Sequence, residues 1–203
     1  MIYHDIVPYT EKKLDCYQNM LVTLLHHYGY DVDLLGAVLP WRYYFRKQTN
    51  EITNWYIASD NIVASLYGCH INRRKFSSGK IYDTLLQETA ERPVIVNVDQ
   101  YYVPHHYVHI YRKQHGQHSL IINGYDESER AFYCVDAFPQ YTGKISCDEL
   151  ITGIMNFPYD YLKLEYSFIV KVEDLPEKRD EIFLSFLSSV NAYKNSPEDR
   201  VFS

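Results

Sequence analysis

Apolar side chains recur at helical spacing in four stretches of the chain, which predicts four helices. The first predicted helix follows Asp15, a residue type that caps helix N-termini, and ends at Gly29, a typical helix stop. Its apolar positions are Tyr17, Met20, Leu21, Leu24, Leu25 and Tyr28. The other predicted helices span residues 80–91, residues 147–155 and the residues after Pro176. Ser146-Cys147-Asp148-Glu149 has the sequence of a capping box.

Shorter apolar runs, continuous or alternating with polar residues, predict the strands. They cover residues 62–69, 93–99, 118–126, 131–136 and 161–172. The third and fourth runs flank a polar turn near Glu127-Ser128 and predict a β-hairpin. We expect loops with short helical turns over residues 31–60, and a long polar loop over residues 100–117. Helices followed by a mostly antiparallel sheet predict an α+β fold.

Composition predicts how the chain is organised and which classes of partner it does not bind. A length of 203 residues with 46% hydrophobic residues predicts one domain over residues 1–175, followed by a C-terminal helix and frayed tail over residues 176–203. The net charge is −6, and the basic run Arg73-Arg74-Lys75 is too short to follow a phosphate backbone, which argues against nucleic acid as a partner. No apolar run reaches the roughly 18 residues that cross a bilayer. The sequence has neither a signal-peptide pattern nor a CxxC pair, so we expect a cytoplasmic protein with reduced thiols and no membrane partner.

Three residues that are distant in the sequence form a candidate catalytic group. Cys16 begins the first predicted helix, where free N–H groups and the helix dipole favour an anionic thiolate. His118 and Asp136 lie equally far from the turn of the predicted hairpin. Because residues that face each other across antiparallel strands have Cβ atoms about 4.5–5.5 Å apart, we expect the carboxylate to orient the imidazole. A cysteine at a helix start, followed by a histidine and a carboxylate on strands, is the arrangement of papain-like enzymes.

The other cysteines leave alternatives open. Cys16 could be a small buried core residue instead, because free cysteine is among the most buried residue types. Cys147 is the only other cysteine at a predicted helix start, which makes it the rival nucleophile. We expect core packing for Cys69, Cys134 and Cys147.

Several segments resemble a known family. They are Asp-Cys-Tyr-Gln-Asn-Met at 15–20, Arg-Pro-Val-Ile-Val-Asn-Val-Asp-Gln-Tyr-Tyr-Val-Pro at 92–104, His-Ser-Leu-Ile-Ile-Asn-Gly-Tyr-Asp at 118–126 and Cys-Val-Asp at 134–136. In this order, over roughly residues 10–175, they resemble the N-terminal domain family of butirosin biosynthesis protein H and, more distantly, the papain-like peptidases that trim bacteriocin leaders. The resemblance implies a papain-like fold with Cys16, His118 and Asp136 as the triad. It also implies acyl transfer from a carrier-protein thioester to an amine, with relatives in nonribosomal-peptide and aminoglycoside-type pathways.

The sequence departs from the leader peptidases at one position. Those enzymes carry a Gln six residues before the nucleophile as an oxyanion-hole donor, whereas this chain has Thr10 there. The remaining candidate donors are the Cys16 backbone N–H and the side chains of Gln18 and Asn19. The missing side-chain amide argues against a protease.

The residues after the strand at 93–99 are candidates for binding substrate or metal. Asp99, Tyr101, Tyr102 and Tyr107 could flank the substrate groove, with Asp99 meeting a cationic amine, although a strand-end cap is an equal alternative for Asp99. Four loop histidines crowd the same region: His105, His106, His109 and His115. No second pair of ligands stands at zinc spacing, so we expect solvated histidines and neither a metal nor a cofactor.

Together these residues predict a cytoplasmic papain-like cysteine acyltransferase of specialised-metabolite biosynthesis. Its partners would be an acyl or peptidyl carrier protein and an amine-bearing small molecule or peptide. The first rival is a hydrolase, either peptidase or thioesterase, that uses the same triad on water. The second is a catalytically silent module that binds a carrier protein or peptide.

Overall fold

A computed structural model describes residues 5–12, 14–33, 43–46, 51–54, 66–171 and 184 of the chain. The described helices are α1 (Cys16–His27), α2 (Ile81–Glu91) and α3 (Cys147–Met155). The described strands are β1 (Tyr43–Arg46), β2 (Glu51–Asn54), β3 (Cys69–Lys75), β4 (Val94–Asp99), β5 (Gln117–Asp126), β6 (Ala131–Ala137), β7 (Gln140–Ser146) and β8 (Glu165–Lys171). Within these ranges no helix is long and apolar enough to cross a membrane.

A six-stranded sheet carries the core, with strand order β3-β8-β4-β5-β6-β7. Strand β4 is buried along its whole length and pairs antiparallel with β5 and β8, and β5, β6 and β7 continue as antiparallel neighbours. Helix α1 packs against β5 and β6, α2 against β5, and α3 against β4. This arrangement confirms the predicted α+β fold and places the start of α1 beside the central strands.

The chain divides into two compact units. One unit comprises Met1–Pro40 and Ile71–Ile169, and the other comprises Trp41–His70 and Val170–Ser203. The boundary expected between residues 175 and 176 stays a prediction. In the second unit β1 and β2 pair antiparallel, with Tyr43 opposite Asn54. The loops expected over residues 31–60 are therefore wrong at these strands, which at four residues each are too short to show a period.

The sequence pattern also fails at both edges of the large sheet. Of the strand predicted over residues 62–69, residues 62–65 lie outside the described residues, Leu66 and Tyr67 are helical, and β3 begins only at Cys69. Strand β7 was not predicted at all. Both β3 and β7 are edge strands, and apart from Cys69 and Ile145 their residues are exposed or half-buried. Edge strands of this kind carry polar and charged residues, so they give no apolar signal.

The caps predicted at the starts of α1 and α3 are present. The Asp15 carboxylate accepts from the Gln18 N–H at 2.8 Å, and the Gln18 side chain accepts from the Asp15 N–H at 3.1 Å, which completes a capping box. At α3, Ser146 Oγ accepts from the Glu149 N–H at 3.3 Å. The helix predicted after Pro176 lies outside the described residues except for Leu184, which is helical.

Candidate active site

Cys16 is the first residue of α1, and its side chain is half-buried beside β5. The Sγ atom lies 3.8 Å from Ser119 Oγ, and the Ser119 hydroxyl donates to Asn97 Oδ1 at 3.1 Å. His118, next to Ser119 on β5, also forms a hydrogen bond with the thiol. The N-terminal N–H groups of a helix have no partner within the helix, so the start of α1 presents positive partial charge to this thiol.

His118 and Asp136 are in contact, but their register differs from the predicted one. Ile121 faces Val135, so the same register carried one step further puts Leu120, not His118, opposite Asp136. Asp126 faces Ala131, so the turn lies later than predicted, and the register shift between Ile122 and Gly124 reduces the resulting offset from three residues to two. The offset is two residues, which keeps both side chains on one face as diagonal neighbours. His118 Nε2 lies 2.7 Å from Asp136 Oδ2.

The His118–Asp136 pair is almost fully withdrawn from water, with side-chain exposures of 4% and 0%. Burial by itself would lower the pKa of His118, but the Asp136 carboxylate and the Cys16 thiol outweigh it and raise the pKa to about 10. Burial would likewise raise the pKa of Asp136, but the His118 charge and several hydrogen bonds lower it below its usual range. The stable state is therefore a carboxylate–imidazolium pair. Because Nε2 is held by Asp136, Nδ1 is the nitrogen left for the thiol.

The loop after β4 brings two further histidines to this pair. His105 Nε2 lies 3.1 Å from Asp136 Oδ2, and the His106 ring lies edge-on to His118 with centroids 4.8 Å apart. Burial, followed by the His118 charge, lowers the pKa of His106 to about 4. The expectation of solvated loop histidines is therefore wrong for His105 and His106, whereas His109 and His115 are exposed. Spacing in the sequence could not reveal this, because it depends on how the loop folds back over the sheet.

Asp99 is a buried cap at the base of the same loop. Its carboxylate accepts from the N–H groups of Tyr101 and Gly116, each at 3.1 Å, and contacts His115 Nδ1 at 2.6 Å. These three partners and a side-chain exposure of 1% leave little of the carboxylate for a substrate amine. The geometry therefore favours the interpretation of Asp99 as a strand-end cap over its interpretation as a substrate-binding residue.

Of the three candidate tyrosines, the structure brings one to the site. Tyr107 lies against the His106 ring, with centroids 5.3 Å apart, and is partly exposed. Tyr101 stacks on His115 with centroids 4.3 Å apart, and Tyr102 packs edge-on against Tyr101. Both residues are half-buried, and Tyr102 lies next to Gly153 of α3.

The two side chains proposed as oxyanion donors have structural partners. The Asn19 amide donates to the carbonyls of Glu11, Leu14 and Asp15, and its oxygen accepts from the Glu11 N–H. No Asn19 N–H therefore remains for an oxyanion. Gln18 is buried and supplies its oxygen to the capping box. The Cys16 backbone N–H stays the candidate donor, because a first helical residue has no helical carbonyl to meet.

A side-chain amide that the sequence did not suggest lies beside Thr10. Gln140 Nε2 donates to Thr10 Oγ1 at 3.0 Å, and the Thr10 hydroxyl in turn donates to the Ala137 carbonyl. Gln140 begins β7, so only the pairing of this unpredicted edge strand brings the amide to position 10.

The remaining cysteines are buried, as predicted. Burial raises the pKa of the Cys69 thiol to about 11 and raises those of Cys134 and Cys147 as well. Among the residues that the structure describes, no group of three or more His, Cys, Asp or Glu side chains is placed to hold a metal ion.

Comparison with known proteins agrees with this fold and assigns the family. A crystal structure from Bacillus anthracis described as that of a C39-like peptidase superposes with a TM-score of 0.56 at 12% identity, covering 84% of this chain and 98% of that one. At this identity the likeness shows the papain-like fold alone. Comparison with curated proteins gives no match. Residues 9–143 match the DUF1839 N-terminal domain, so the chain belongs to that family.

Proposed function

We propose that the protein is a papain-like cysteine acyltransferase that moves an acyl group from a carrier-protein thioester to an amine through a Cys16 acyl-enzyme. The observation that carries the proposal is the buried His118–Asp136 pair beside a half-buried thiol at a helix start. A thiolate nucleophile, an imidazole that exchanges protons with it and a carboxylate that fixes the tautomer are the parts that acyl transfer requires.

The reaction follows from these roles in two halves. In the first, the Cys16 thiolate attacks the thioester carbonyl, a new S–C bond forms, and the carrier thiol leaves with the proton of the His118 imidazolium. In the second, the amine attacks the acyl-enzyme and gives a proton to His118 Nδ1. The C–S bond to Cys16 then breaks and releases the amide. Asp136 stays ionised throughout and holds Nε2.

Two features favour transfer over hydrolysis. Exposed apolar rings stand beside the His118–Asp136 pair: Phe138 donates its N–H to Asp136, and the rings of Tyr107 and Phe138 lie 6.1 Å apart. An apolar rim of this kind suits an acyl chain and disfavours ordered water. The net charge of −6 suits a cationic amine acceptor.

The proposed setting follows from the chemistry and from the resemblance to the butirosin biosynthesis protein H family. The four cysteines are free thiols, which suits the reducing cytoplasm. The acceptor would be an amine-bearing small molecule or peptide, and the donor an acyl or peptidyl carrier protein of a specialised-metabolite pathway.

The test offers the purified protein a panel of acyl N-acetylcysteamine thioesters, as carrier mimics, with and without an aminoglycoside. We expect intact-protein mass spectrometry to show one acyl group on Cys16, and the aminoglycoside to turn the released product from acid into amide. Cys16→Ala should lose both signals, and Cys147→Ala should keep them. Release of the free acid both with and without the aminoglycoside would identify a hydrolase. Acylation that persists in Cys16→Ala would contradict the proposal.

The peptidase reading has one observation in its favour, the fold shared with a protein described as a C39-like peptidase. The matched experiment replaces the thioester by a peptide library, with Cys16→Ala as control. Cleavage that depends on Cys16, together with no amide formation, would favour this alternative. Failure of both assays, with retained binding of a carrier protein, would favour the silent binding module.

A further inference from the structure

We infer that His105 is a positioning residue for the proposed triad: it donates a second imidazole hydrogen bond to Asp136 and fixes the oxygen that orients His118. The inference rests on the proposed function. His105 Nε2 and His118 Nε2 lie 3.1 Å and 2.7 Å from the same atom, Asp136 Oδ2. The other carboxylate oxygen, Oδ1, accepts from the Phe138 N–H at 2.9 Å. Three donors thus surround one buried carboxylate.

The hydrogen of His105 can be assigned to Nε2. Its Nδ1 is buried, and among the described residues no hydrogen-bond partner reaches it. The ionised Asp136 carboxylate can only accept, so a hydrogen on Nε2 makes a hydrogen bond, whereas a hydrogen on Nδ1 would be a buried N–H without an acceptor. The tautomer that places the hydrogen on Nε2 gives Asp136 a donor and leaves no N–H unsatisfied. Both histidines therefore donate a hydrogen bond to Asp136.

The ring of His105 is held in place from its face. It stacks on Tyr141 with centroids 4.0 Å apart and planes 6° apart, and only 5% of its side chain is exposed. Tyr141 faces Asp136 across β6 and β7, so the sheet itself supports the ring against the carboxylate. The backbone of the loop is fixed nearby, because Val103 is buried and its carbonyl accepts from the His106 N–H at 3.1 Å.

This geometry gives His105 a specific effect on the reaction. A carboxylate held by only one imidazole and one N–H can rotate, and rotation of Asp136 would release His118 from the orientation that points Nδ1 at Cys16. The second imidazole removes that freedom. It also stabilises the carboxylate anion, so the shared proton stays on His118. His105 touches no reacting atom and acts through Asp136.

Two substitutions separate this role from simple packing. His105→Phe keeps a ring on Tyr141 and removes the donor, whereas His105→Gln restores an amide N–H near the position of Nε2. The readout is the rate of Cys16 alkylation by iodoacetamide against pH, which needs no acyl substrate. We expect the midpoint to move to higher pH by about one unit in His105→Phe, because the imidazolium loses its oriented partner, and to stay near the native value in His105→Gln.

His109→Phe, an exposed histidine of the same loop, is the matched control and should leave the midpoint unchanged. Equal profiles for native protein, His105→Phe and His105→Gln, or equal shifts in both His105 variants, would overturn the inference. The downfield NMR resonance of the His118 Nε2–H gives a second readout: it should be lost or broadened in His105→Phe and kept in His105→Gln. If native Cys16 shows no activated alkylation, the proposed function fails, and the resonance still decides the role of His105.

Discussion

The chain places a cysteine at the start of two capped helices, and only one of these cysteines has the surroundings of a nucleophile. Cys16 follows Asp15 at α1, and Cys147 follows Ser146 at α3. Cys16 is half-buried and adjoins His118 and Ser119, whereas Cys147 is buried and adjoins the Tyr125 hydroxyl. Burial raises the pKa of Cys147, and the Tyr125 hydrogen bond and the Arg130 charge offset this only in part. A helix N-terminus therefore makes a thiol reactive only where a neighbouring base and access from solvent are also present.

The largest expected difference is in turnover. Cys16→Ala should lower amide formation by about 10³-fold or more, since it removes the nucleophile. Cys147→Ala should change it by less than about two-fold, because that thiol only packs. Product measured by mass spectrometry with matched protein concentrations gives both values. A loss in Cys147→Ala with its folding intact would show that Cys147 also takes part in turnover.

The next largest effect is expected for Asp136, the carboxylate that holds His118 beside Cys16. Asp136→Asn should lower turnover by about 10²-fold or more, because the amide no longer stabilises the His118 imidazolium or fixes its tautomer. Asp126→Asn is the matched control on the same hairpin, since Asp126 pairs with Lys144. Steady-state rates at pH 7 test this pair of variants. Similar rates in the two variants would contradict the role of Asp136.

Thiol labelling should separate the two cysteines directly. In native protein at pH 7, iodoacetamide should modify Cys16 and leave Cys147 unmodified, because only Cys16 combines partial exposure with a neighbouring imidazolium. Denaturation in urea should make the two thiols react at similar rates. Peptide mass spectrometry of both cysteines in one sample supplies the comparison, and equal native labelling would contradict it.

The pH dependence of stability should carry the signature of His118. The folded pKa of His118 is raised from 6.5 to about 10, so its contribution to the free energy of unfolding is full below about pH 6.5 and is lost as pH rises through 10. His118→Gln should therefore show a flatter loss of stability between pH 7 and 10 than native protein. Urea unfolding at several pH values measures the slope of unfolding free energy against pH for both proteins. The contributions of the other titrating groups cancel in the difference between the two slopes. Parallel slopes would mean that His118 is not paired in the folded state.

The smallest expected effects are on stability, and they test the side-chain caps that both helix starts have. Asp15→Ala and Ser146→Ala each remove a side-chain cap, and each should lower the free energy of unfolding by about 1 kcal/mol. Urea unfolding at pH 7 checks both values. Asp15→Ala should cost the larger amount because it also ends the reciprocal bond with Gln18. A cost above about 4 kcal/mol in either variant would show that the cap does more than satisfy N–H groups.

Local signals predicted the elements that build the site. The start of α1, the buried strand β4 and the hairpin of β5 and β6 were readable from caps, periodicity and a polar turn. Strands β3 and β7 were not readable, because edge strands expose polar residues and lack an apolar pattern. The contact of His118 with Asp136 was expected from direct pairing, but the turn lies later than predicted and would by itself offset the two strands by three residues. The irregularity after Ile122 reduces the offset to two residues, which keeps both side chains on one face.

The sequence does not predict which of the loop histidines contact the site. Nothing in the spacing of His105 and His106 separates them from His109 and His115, yet the first two contact the site and the last two do not. The difference arises from the path of the loop, which Val103 and Asp99 fix through tertiary packing and hydrogen bonds.

The buried cap at Asp99 makes the loop over the site a replaceable insert. Asp99 binds the first and the last turns of the loop, and the Gln100 N–H donates to the Gly116 carbonyl at 2.9 Å, so the two ends are joined independently of what lies between them. Residues can be gained, lost or exchanged in that interval while β4 and β5 keep their register. Homologues, or a designer grafting loops, can therefore change the face that meets the substrate while they keep His105, and leave Cys16, His118 and Asp136 in place.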